Sequence, residues 1–137
     1  MPEHLYLTAA EVVAMHDDQI RLHGGANGLR DRGQLESALH RPQTGYYIDL
    51  IQEAAALWES LSQNHSFVDG NKRTAMSVVH TFLLINGVDF SPPDNDIWQW
   101  ILGSYHDKSF SYRNIEACLR ENTESISWAS GDLTPNS

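Results

Sequence analysis

The chain has 137 residues, 41% of them hydrophobic and four of them tryptophan, which suffices for one domain burying a core without covalent staples. A formal charge of −9 argues against nonspecific nucleic-acid binding by the chain alone, because that affinity comes largely from neutralising phosphates, while it permits a basic partner to be steered in. The lone Cys118 excludes an intramolecular disulfide, the apolar clusters fall far short of the ~20 residues a membrane span needs, and the first six residues carry no basic leader, so a cytoplasmic protein with no membrane association is expected.

Thr8-Ala9-Ala10-Glu11 is a capping box, and Val12, Val13, Met15, Ile20 and Leu22 lead to Gly24-Gly25, which predicts a first helix over about Thr8 to His23. His16 and His23 lie seven apart with no third ligand nearby, so both read as surface histidines rather than a metal pair. After a glycine-containing loop, Asp31 is placed to cap a short helix through Gln34, Leu35, Ala38 and Leu39 that Pro42 ends. Arg41 to Asp49, with Thr44-Gly45-Tyr46-Tyr47, has turn and β-type residues and reads on its own as a surface loop with its tyrosines packed on the bundle.

A third helix starts at Asp49, carries a wide apolar stripe through Ile51, Ala54, Ala55, Leu57, Trp58 and Leu61, and ends near Asn64. In a fourth helix Ala75, Met76, Val78, Val79, Phe82, Leu83, Leu84 and Ile85 are apolar nearly all round, so it is central, and Asn86-Gly87 stops it. Ser91-Pro92-Pro93 is a stiff connector to a helix that Asp94 or Asn95 caps, with Ile97, Trp98, Trp100, Ile101, Leu102 and Tyr105. Ser109 or Ser111 opens the last helix, in which Ile115, Leu119 and Cys118 are apolar, Cys118 as a small buried hydrophobe. With no convincing strand and no repeat, the expectation is an all-α six-helix bundle over residues 1–124 around a central buried helix, with a frayed tail over residues 125–137.

The informative stretch joins the third and fourth helices, His65-Ser66-Phe67-Val68-Asp69-Gly70-Asn71-Lys72-Arg73-Thr74-Ala75. Lys72 and Arg73 are the only Lys or Arg between Arg41 and Lys108, and they fall in the first turn of a helix, where cations oppose the helix dipole at about 0.3 to 1 kcal/mol each. The free N–H groups of that turn form an anion site that two cations suit to a phosphate chain. Asp69 can then hold Mg²⁺ against the phosphates, and His65 can take a proton from an attacking hydroxyl. Phe67 points at the core and pins the loop. Taken singly, Asp69 reads as an N-cap, Gly70 as a turn residue, His65 as a C-cap and the cations as a solvated patch. Their joint spacing at a helix start favours the anion site.

This stretch resembles the signature of the Fic/Doc family, whose Fic branch reads H-P-F-x-[DE]-G-N-G-R-x-x-R and whose Doc (death-on-curing) branch reads H-x-F-x-[DN]-[AG]-N-K-R-T-A. Ser66, Lys72 and Met76 depart from the Fic pattern and agree with Doc, as does Gly28 to Pro42; the resemblance covers roughly Leu5 to Thr123. It implies a compact helical fold with a flap at Thr44, Gly45, Tyr46 and Tyr47 that lines up the target backbone. It further implies ATP and Mg²⁺ as cofactors, His65 as general base, Asp69 as the Mg²⁺ ligand, and Gly70, Asn71, Lys72 and Arg73 as the phosphate cradle.

For the Doc branch the implied activity is transfer of the γ-phosphate of ATP to a threonine of translation elongation factor Tu; for the Fic branch it is AMP transfer to a protein hydroxyl. No Ser or Thr has a Glu four residues later, so the self-inhibitory [ST]-x-x-x-E-[GN] motif of some Fic proteins is missing. Inhibition is therefore expected in trans, and the resemblance implies a Phd-type antitoxin. Two other classes stay open: a binding module that only regulates with its antitoxin, and a His65/Asp69 metal hydrolase, which needs ligands the sequence does not supply.

Overall fold

The computed structural model describes residues 4–92 and 94–126. Helix α1 spans Ala9–His23, α2 Arg32–His40, α3 Leu50–Gln63, α4 Asn71–Ile85, α5 Asp94–His106 and α6 Tyr112–Glu121, with a 3-10 turn at Arg41–Gln43. The expected starts are present: Thr8 and Glu11 form the reciprocal capping box on α1, while Asp31, Asp49 and Ser111 accept from Gln34, Gln52 and Asn114 to cap α2, α3 and α6. The start of α5 adjoins Pro93, so its capping residue lies outside the described residues.

The core is centred on α3 and α4 together. In α3 every residue from Glu53 to Trp58 is buried, whereas α4 buries Thr74, Ala75, Val78, Val79, Phe82 and Leu83 but leaves His80 and Leu84 exposed. Its apolar circumference is thus wider than its buried face. Trp58 is the hub, with Phe90, Trp100 and Phe110 edge-on at ring separations of 5.7, 6.2 and 6.0 Å, and each such pair adds about 0.5–1.5 kcal/mol beyond burial.

One feature departs from the all-helical expectation. Val88–Phe90 (β1) and Thr123–Ser125 (β2) pair antiparallel, with Val88 opposite Ser125 and Phe90 opposite Thr123, and the Ile126 amide donates to the Gly87 carbonyl. Ser125 and Ile126, expected in the tail, are thus tied to Val88 and Gly87, and residues 127–137 of that expected tail lie outside the described residues. Three-residue strands are too short to show alternation in a sequence. Phe90 earns its strand position through burial against Trp58.

Candidate active site

The motif loop between α3 and α4 is built jointly with the glycine loop after α1. Arg30 and Asp31 amides donate to the Ser66 carbonyl at 2.7 and 3.0 Å, the Val68 amide donates to the Gly28 carbonyl at 3.0 Å, and Leu29 pairs with Phe67 in a single antiparallel bridge. The Arg30 guanidinium donates to the His65 carbonyl at 3.1 Å, and His65 itself sits at φ +53°, a left-handed conformation rare outside glycine. His65 is exposed at the lip of the loop, where the sequence placed it. Phe67 is buried as expected.

One correction and one excluded alternative concern residues at this loop. His16, expected at the surface, is 1% exposed: its ring lies 3.9 Å from that of Phe67 at an interplanar angle of 6°, and Nε2 donates to the Asp69 carbonyl at 2.7 Å. A single-helix pattern cannot reveal this, because the partner lies 53 residues away. Asp69 does not cap α4 either. Gly70 occupies that position at φ +75° and no side chain caps the helix, which leaves the first-turn N–H groups as donors that an anion could take.

The Asp69 carboxylate is held by two amides, Oδ1 accepting from Gly70 at 2.9 Å and Oδ2 from Ala26 at 3.2 Å. A Cβ on Gly25 would stand 2.8 Å from Oδ2, so glycine is required there for the carboxylate to seat. Each oxygen keeps acceptor capacity, which fits the hard-oxygen, few-protein-ligand habit of Mg²⁺ bound alongside phosphates. Among the described residues no three His, Cys, Asp or Glu side chains gather as a metal site, which gives a multi-ligand hydrolase centre no support.

His65, Asp69, Gly70, Asn71, Lys72 and Arg73 line one cavity of about 380 Å³, together with Ile20, His23 and Ser62. A neighbouring cavity of about 300 Å³ shares His65, Lys72 and Ser62 and adds Ser104, Tyr105 and Lys108. The cations are positioned by α5: Lys72 Nζ lies 4.4 Å from the centre of the Tyr105 ring, and Arg73 Cζ lies 4.3 Å from the centre of the Trp98 ring. Trp98 and Tyr105, seven apart, occupy one helix face, and the sequence named them only among the apolar residues of that helix. Such stacking contributes about 0.5–1 kcal/mol each at exposed sites, enough to offset the helix-dipole penalty that made this pair conspicuous. Burial pushes the Tyr105 phenol above its usual range, and the Ser62 hydroxyl opposes that shift.

The Asn71 side chain is committed to the Phe67 backbone, which leaves its backbone N–H as the group it could offer a phosphate. Thr44, Gly45, Tyr46 and Tyr47 do not line either cavity. Within that segment both sequence readings apply to different residues: Tyr46 and Ile48 are each 83% exposed, whereas the Tyr47 hydroxyl accepts from Arg41 Nε at 2.8 Å and its ring packs on Tyr112. Arg41 also reaches Glu59 and Ser60 at 2.8 and 2.9 Å, locking the base of the segment to α3.

Comparison with known proteins gives three findings. The model of the Fic/DOC family matches residues 6–83. "Toxin Doc" of Mycolicibacterium smegmatis is 51% identical over 73 residues, 50% of this chain and 56% of that protein. "Protein kinase doc" of Escherichia phage P1 is 33% identical over 94 residues, 65% of this chain and 75% of that protein. The alignment thus spans little more than half of the mycobacterial relative.

Proposed function

The chain belongs to the Fic/DOC family, and from that premise we propose that it is the toxin of a toxin-antitoxin pair that transfers the γ-phosphate of ATP to a threonine hydroxyl of translation elongation factor Tu, blocking protein synthesis. The observation that carries this reading is the convergence of His65, Asp69, Lys72, Arg73 and the uncapped N-terminus of α4 on one cavity. The name of the phage relative, a protein kinase, supports phosphoryl over AMP transfer.

Phosphoryl transfer asks for positioning and charge stabilisation more than for covalent chemistry. The first-turn amides of α4 and the two stacked cations bind and neutralise the phosphate chain. Asp69 would hold Mg²⁺ there, which supplies charge neutralisation between phosphate oxygens when bound. His65 accepts the proton of the acceptor hydroxyl. The hydroxyl oxygen bonds to the γ-phosphorus, the bridging β–γ bond breaks, and ADP leaves.

Lys72, standing where AMP-transferring relatives carry glycine, narrows the cradle, and Met76 supplies no second arginine. Both changes disfavour the AMP-transfer pose. Tyr46 and Ile48, both exposed, offer the target an apolar edge outside the two cavities, and inhibition comes in trans from a Phd-type antitoxin. The test has two arms: expression of the chain alone should arrest growth and co-expression of the cognate antitoxin should relieve it, while incubation with elongation factor Tu and ATP should phosphorylate a threonine. Harmless expression together with no transfer would overturn the reading.

A further inference from the structure

We propose that His16 is a positioning residue for the metal-nucleotide site, holding the Asp69–Gly70 peptide so that the Asp69 carboxylate is aimed at the cavity. The inference rests on the reading of that cavity given above, and its geometry stands apart from the chemistry.

The peptide joining Asp69 and Gly70 is a rigid plane. Its carbonyl accepts from His16 Nε2 at 2.7 Å, and its N–H donates back to Asp69 Oδ1 at 2.9 Å. Rotating that plane breaks both bonds at once and swings the carboxylate off Ala26. His16 is itself fixed: it is buried, and its ring lies flat on Phe67, whose backbone Asn71 grips at both ends. One turn along the same face of α1, Ile20 packs beneath both turns, with Cδ1 3.1 Å from where a Gly70 Cβ would stand and 3.3 Å from a Gly25 Cβ. Helix α1 therefore sets the height of the motif turn with Ile20 and its rotation with His16. Burial obliges the His16 imidazole to satisfy its donor, and the acceptor it takes is the loop carbonyl of Asp69, which among the described residues is the one carboxylate-bearing residue lining the cavity.

The test compares His16→Phe, which keeps the stacked ring and removes the donor, with His16→Gln, which keeps a donor. Two readouts are taken on the full chain after thermal melting confirms folding: NMR amide hydrogen exchange, and the Mg²⁺ concentration that half-saturates binding of a fluorescent ATP analogue. In His16→Phe the Gly70 and Ala26 amides should exchange about tenfold faster and the half-saturating Mg²⁺ should rise about tenfold, as for the loss of one hydrogen bond to a functional loop. Val78 and Val79 amides should be unchanged. His16→Gln should stay within about threefold of the parent on both readouts. Unchanged Gly70 protection in folded His16→Phe, or a His16→Gln no better than His16→Phe, overturns the proposal. Should His16→Phe not fold, His16→Gln decides: a protected Gly70 amide with near-parental Mg²⁺ dependence supports the assignment, and loss of both refutes it. If the parent binds no Mg²⁺-nucleotide, the functional reading fails while the exchange readout still judges His16.

Discussion

Asn71 holds Phe67 by both of its backbone polar groups: Nδ2 donates to the Phe67 carbonyl and Oδ1 accepts from the Phe67 amide, each at 3.0 Å. The first residue of α4 thus closes the loop that precedes it and fixes the distance from His65 to the helix N-terminus. Asn71→Ala removes both bonds and leaves two part-buried backbone groups unpaired, so chemical denaturation should show a loss of about 2–3 kcal/mol. Transfer activity should fall further than stability alone explains, since His65 would no longer be registered against Lys72 and Arg73.

The stacking of Arg73 on Trp98 makes a separable prediction. Trp98→Leu keeps an apolar side chain and removes the ring, so the Kd for ATP should rise about two- to fivefold, the equivalent of one exposed cation–π contact. A tighter Kd would mean that the ring withholds Arg73 from phosphate instead of presenting it. Isothermal titration calorimetry at fixed ionic strength distinguishes the two.

Arg41 is the hinge pin of the segment carrying Tyr46 and Ile48, with bonds to Tyr47, Glu59 and Ser60 and its guanidinium 5.9 Å from both the Tyr47 and Tyr112 ring centres. Arg41→Met should cost about 2 kcal/mol, because Glu59 loses a charged partner in a partly buried setting. Chymotrypsin should then cut after Tyr46 and Tyr47 at lower protease concentration, while ATP affinity is unchanged.

Cys118 supplies a pH dependence with a definite sign. Burial raises its thiol from the ordinary 9.0 to about 11. Cys118, expected to be buried, is only half-buried; the unfolded chain ionises first, so the stabilising contribution of its neutral thiol is complete below pH 9 and is lost as pH rises from 9 toward 11. Denaturation midpoints of Cys118→Ala and the parent should diverge below that window and converge through it. Alkylation of the native chain by iodoacetamide should be slow at pH 7.5, since the thiolate is the nucleophile.

Much of this was legible in the sequence, for identifiable reasons. Caps such as Thr8, Asp31 and Asp49 act on amides two or three residues away, so short-range patterns place helix starts well. The motif residues His65, Asp69, Lys72 and Arg73 were visible because two cations in a helix's first turn break a local rule. What stayed hidden depends on distant partners. His16 looks like any surface histidine until Phe67 and Asp69 are folded onto it. Trp98 and Tyr105 look like core residues until α5 lies across the start of α4. The β1–β2 pair joins segments more than thirty residues apart through strands of three residues each. Asn71 read as a phosphate ligand, and its carboxamide instead ties the loop.

The most direct test of the central claim is intact-mass spectrometry of elongation factor Tu incubated with this chain, Mg²⁺ and ATP, beside a His65→Ala control. A gain of about 80 Da is expected, absent in the control although the control still binds ATP. A gain of about 329 Da, the mass of a transferred AMP group, would contradict the phosphoryl-transfer assignment and place the reaction with AMP transfer despite Lys72. An equal gain of about 80 Da in the control would contradict the role given to His65.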